Sequence, residues 1–120
     1  MVLKAAYFAV VGLAATDAIT WPGNIQPAIN RGRTVLGIAW PHQGQGHNVR
    51  AWAELLTAER ALSAATIYAP ALAHGVLTCG QRIGQLWSET LRYHKNFAYL
   101  HEIRQIREAA EWLIVHSLAL

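Results

Sequence analysis

Apolar and small residues fill positions 2–19 almost without a break (VLKAAYFAVVGLAATDAI), and Trp21-Pro22-Gly23-Asn24 then stops the pattern. Length and Ala/Leu content predict a helix there. Farther along, Asn48 can accept a hydrogen bond from the unpaired amides of a following helix, and Trp52, Leu55, Leu56 and Leu62 recur at helical spacing behind it. That helix is expected to reach about residue 69. Pro70 suits the first turn of a further helix, where its missing amide proton has no partner to lose. Leu77, Ile83, Leu86 and Trp87 carry this helix to about residue 93. The clearest period belongs to 96–118, where Phe97, Leu100, Ile103, Ile106, Ala110, Leu113, Ile114 and Ser117 or Leu118 follow at intervals mostly of three or four. The pattern therefore predicts a single all-α domain over 1–120, with three to four helices at about 2–19, 48–69, 71–93 and 96–118.

Between the first two helices the pattern lapses. Residues 20–47 are rich in Gly, Pro, Asn and Gln, with one β-compatible run from Thr34 to Trp40, and read as a long irregular arm. Unstructured connections of that length are uncommon in compact domains and are usually interfacial or functional.

Charge sharpens this picture. Only 14% of residues are charged and 53% are hydrophobic, against about 25% charged in an average soluble domain, so much of the surface is expected to be covered by something else. No acidic residue occurs between Asp17 and Glu54, whereas Arg31, Arg33 and Arg50 do, and the whole net charge of +3 belongs to the stretch 18–53. The run Asn30-Arg31-Gly32-Arg33-Thr34 reads as two guanidinium groups on a glycine hinge. They suit phosphate contact, or pairing with Glu102, Glu108 and Glu111 of an adjacent subunit.

Two kinds of cover are compatible with such a chain. Positions 61–80 are twenty residues without a formal charge, long enough to span a bilayer. Their strong inserters Leu62, Ile67, Leu72, Val76 and Leu77 together supply only about −1.5 to −3 kcal/mol, which Pro70, His74 and the glycines offset. Asp17 sets the same limit on the N-terminal segment, whose start, Met1-Val-Leu-Lys4, mimics a signal peptide and is read here as part of the mature fold. Protein is the favoured cover. Gly75, Gly80 and Gly84 each weaken the third helix by about 1 kcal/mol relative to Ala, which implies close approach to a neighbour. Ala65, Ala69 and Ala73, and the pair Gly80 and Gly84, repeat every four positions as a small-residue packing face.

Catalytic chemistry finds little footing. Asp17 is the sole aspartate; Ser63, Ser88 and Ser117 lack nucleophile motifs; and Cys79, the single cysteine, lies in an apolar run as a small hydrophobe. Glu54 and Glu59 are not placed as an acid/base pair, and Gly44-Gln45-Gly46 is too short for a dinucleotide fingerprint. His42 and His47 lack two further metal ligands, and His74 stands alone in its helix. No cofactor is implied. The sequence reads as a non-enzymatic structural protein whose partners are copies of itself, the protomer of a filament or shell of the kind found in filamentous-virus coats or pili. In this reading Arg31, Arg33 and Arg50 face nucleic acid or a neighbouring subunit, Gly80, Gly84, Ala69 and Ala73 pack helices, and the location is a virion or extracellular filament. The alternative is a small membrane subunit with 2–20 and 61–80 in lipid.

Overall fold

The computed structural model describes residues 2–14, 16–42, 45–63, 69–86 and 100–120. It is all-helical: α1 (Val2–Val10), α2 (Ile25–Thr34), α3 (Val49–Leu62), α4 (Pro70–Leu86) and α5 (Leu100–Val115), with a 3-10 turn at Gln45–His47 before α3. The all-α class is as expected, and no strand occurs among the described residues, so the run 34–40 pairs with nothing as a sheet.

The first helix ends nine residues earlier than its composition suggests. Gly12 takes φ +92°, its amide donates to Ala9 O (3.2 Å), and Leu13 N donates to Phe8 O (2.8 Å). This is a Schellman cap, which satisfies the last carbonyls and turns the chain away. A continuous apolar run concealed the stop, because only the glycine's backbone freedom marks it.

The supposed arm holds a ten-residue helix. In α2 the residues Ile25, Ala28, Ile29 and Gly32 are buried, a spacing of three, four and seven that gives one apolar face. Pro27 is tolerated because it sits in the first turn, where amides have no intrahelical acceptor. Asn24 does not cap α2 with its side chain; its Oδ1 accepts from Thr20 N (2.8 Å) and from Thr20 Oγ1 (3.0 Å).

The second predicted helix begins as expected, with Asn48 Oδ1 accepting from Ala51 N at 2.9 Å, but α3 stops at Leu62, and Ser63 beyond it is extended. Pro70 opens α4. The expected extensions over 64–68 and 87–99 lie outside the described residues. Both segments weighed as membrane spans are thus broken, 2–20 at Gly12 and 61–80 at Ser63. Among the described residues no helix is long and apolar enough to cross a membrane.

The central element is α3. Trp52, Leu55 and Leu56 are almost wholly buried in it, with α1 packed on one side and α4 on the other, while α5 closes against α4 and touches α1. The aromatic part of the core is an edge-on cluster: Trp52 meets Trp40 at 5.1 Å between ring centres and 84°, and Tyr7 at 5.8 Å and 61°. Such T-shaped pairs add about 0.5–1.5 kcal/mol beyond the area they bury. At the far end of the chain Leu120 is buried, and Arg60 Nε donates to its main-chain oxygen at 2.6 Å, which ties the end of α3 to the residues after α5.

The last helix is rotated from its predicted orientation. Ala109 and Leu113 are buried, with Trp112 and Ala110 partly covered, whereas Ile103, Ile114 and Leu118 of the expected inward stripe face solvent. The physical reason lies in α4. Gly75 leaves a space that the Trp112 indole fills, so any methyl at Gly75 would overlap that ring. Seating the largest side chain of α5 in this notch turns the outer edge of the apolar stripe away from the core.

Candidate interaction surfaces

The three cations singled out from the sequence are spoken for within the chain. Arg31, on α2, donates through Nε to Oε1 of Glu59 on α3. Only 10% of the Glu59 side chain is exposed, against 42% of Arg31. The hydrogen bond to Glu59, then its negative charge, raises the Arg31 pKa above its ordinary value. Arg33 donates from Nε to Trp40 O (3.0 Å) and from Nη2 to Pro41 O (3.1 Å), which fixes the segment after α2. Arg50 pairs with Glu54 one turn on, Nε to Oε1 at 2.9 Å. The glycine between the first two is not a hinge. Gly32 is buried inside α2, and a Cβ there would stand 3.1 Å from the Trp40 ring, so the position serves close approach of an indole.

The sequence reading weighed Glu59 only as an acid/base partner of Glu54 and missed it as the partner of Arg31, although the signal was present. It follows Leu55 and Leu56 by four and three residues and therefore shares their buried face. A carboxylate so placed needs a cation, and Arg31 is the one that α2 delivers. Tyr7 lies in the same neighbourhood: burial chiefly, and the Glu59 charge next, push its phenol above the ordinary pKa, with Arg31 opposing.

The small residues divide. Gly80 is buried against α3, where a methyl would overlap the Ala53 Cβ, and at Gly84 a Cβ would sit 3.0 Å from the Arg50 Cβ. Both glycines therefore face α3 of the same chain. Ala69 is exposed and Ala73 half-buried, so the packing face predicted from residues 69 and 73 does not continue that contact.

What remains uncovered is apolar. Ile114 and Val115 at the C-terminal end of α5, and Leu118 in the turn that follows it, stand exposed, at 61%, 77% and 103% of their full exposure. All three fall within five consecutive residues. Ile103, half-exposed, lies on the same side of the helix as Ile114, and the exposed Arg107–Glu111 pair (3.4 Å) lies on that side too, in the i,i+4 row that joins Ile103 to Val115. Leu62 and Val35 add separate exposed apolar positions.

Cys79 is buried, and desolvation, opposed by the nearby Arg82 charge, raises its thiol pKa. Among the described residues, no three His, Cys, Asp or Glu side chains gather as metal ligands. No known family matches the chain, and neither the curated proteins nor the solved structures contain a match to it.

Proposed function

We propose that this chain is a non-enzymatic structural protein that associates with copies of itself through the apolar end of α5. The observation that carries the reading is the exposed group Ile114, Val115 and Leu118, set on a chain with too few charges to keep its surface apart. Full burial of each side chain contributes at most about 1.5–3 kcal/mol, so a symmetric pair covering both groups gains about 9–18 kcal/mol. Immobilising two chains costs about 4–15 kcal/mol. A symmetric pair covers both groups and closes on itself, so a filament or shell needs a second surface on each chain, for which Leu62 and Val35 are exposed apolar positions. Nucleic acid is not part of the proposal. For Arg31 and Arg50 to reach phosphate they would have to leave Glu59 and Glu54.

Sedimentation velocity and electron microscopy of the full chain without detergent test this directly. Large, regular particles are expected, and Ile114→Lys combined with Leu118→Lys should disperse them into small species that keep their helical circular dichroism. A parent protein that stays monomeric at every concentration, or a double variant that assembles unchanged, would refute the reading.

A further inference from the structure

A cavity of about 420 Å³ opens where α1, the 3-10 turn, α3, α4 and α5 converge. Its volume lies in the range of small-molecule sites, about 300–1,000 Å³, and far above the water-sized voids of a packed interior. Leu3, Trp52, Ile83 and Leu113 are among its walls, which are apolar except for two side chains, Lys4 and His47. Among the described residues no carboxylate lines it.

The cavity is built on fixed parts. Trp52 is held by its Nε1 hydrogen bond to Gly46 O (3.3 Å) and by the edge-on rings of Trp40 and Tyr7. The Lys4 ammonium stands 5.6 Å from the centre of the Trp52 ring and forms no salt bridge among the described residues. Partial burial lowers its pKa, the mark of a cation without enough compensation. An anion beside it would supply that compensation, and the apolar walls require the rest of the ligand to be hydrocarbon. A phosphate dianion would call for several converging donors or a guanidinium fork, whereas a single ammonium matches a single carboxylate.

We propose that this cavity binds a single-chain amphiphile with a carboxylate head, its hydrocarbon among Leu3, Trp52, Ile83 and Leu113 and its carboxylate at Lys4. The site differs from the proposed self-association surface in chemistry and in occupant, although Ile114 borders both.

Decanoate, kept below its micellar concentration, is titrated into the full-length chain by calorimetry at a dilution where sedimentation shows a single species; n-decanol serves as the uncharged control. Saturable binding of one decanoate per chain is expected, at least tenfold tighter than decanol. Lys4→Met should erase that difference while decanol still binds, and Leu113→Trp, which adds bulk at the cavity wall, should weaken both. Circular dichroism verifies that each variant is folded, and should Leu113→Trp not fold, Ile83→Phe replaces it. Equal affinity of the parent for decanoate and decanol, binding unaffected by the wall variant, or no saturable binding would each overturn the proposal. Loss of assembly in the α5 variants would leave it standing, because the titration is made on single chains.

Discussion

The contact between α3 and α4 is close enough that one methyl group can be moved across it. Gly80 admits no Cβ because Ala53 already occupies the space. Gly80→Ala gains about 1 kcal/mol of helix propensity in α4. Against this stands overpacking, which costs about 1–3 kcal/mol when backbones must part. The single variant is thus expected to lose up to about 2 kcal/mol, close to 8 °C in Tm for a domain of this size. Ala53→Gly alone loses about 1 kcal/mol of propensity in α3, with a small further loss for the buried methyl. In the double variant the propensity terms cancel and the overlap disappears, since the methyl has only changed sides. The coupling between the two positions should therefore be about 1–3 kcal/mol and favourable. Urea unfolding followed by tryptophan emission, at one low protein concentration for all four proteins, measures it. Effects that add to within about 0.5 kcal/mol, the behaviour of independent sites, would refute the packing argument.

Two further outcomes are expected. Gly12→Ala introduces a side chain that meets nothing within 4 Å but must adopt φ +92°, so its whole effect is backbone strain, about 1–2 kcal/mol, read as a lower urea midpoint with unchanged helical circular dichroism. Because the Tyr7 pKa is raised in the folded chain, its contribution to stability is complete below the unfolded tyrosine pKa of about 10 and is lost as pH rises from there through the folded value. Stability should fall with alkali in the parent and fall less in Tyr7→Phe, and a spectrophotometric titration should find one tyrosine ionising late; identical alkaline profiles would contradict this.

Much of the helical content was legible in local chemistry. Asn48 capped α3 and Pro70 opened α4 because capping and the missing proline amide act within one turn, and the buried Trp52, Leu55 and Leu56 followed the predicted period. The glycines of α4 foretold close approach, and Gly75, Gly80 and Gly84 each meet a neighbouring helix. Other features were present in the sequence but outweighed. The apolar run after α1 masked Gly12 as a helix stop, and Pro27 with Gly32 disguised the apolar face of α2.

What the sequence by itself determined is the shortage of charge, the all-α class and the starts of α3 and α4, since these depend on residues close together in the chain. Which face each helix buries was a tertiary matter. The outward turn of Ile103, Ile114 and Leu118 follows from Trp112 entering the notch at Gly75 on another helix, and the fate of the basic stretch follows from α2 bringing Arg31 to a carboxylate 28 residues away. Periodicity specifies that an apolar stripe exists, but a stripe wider than its groove leaves its rotation to be settled by the side chain that fits the neighbour best. The cations looked available for an outside partner because nothing local opposed them; a long-range ion pair, two carbonyl acceptors and a one-turn glutamate engaged them instead.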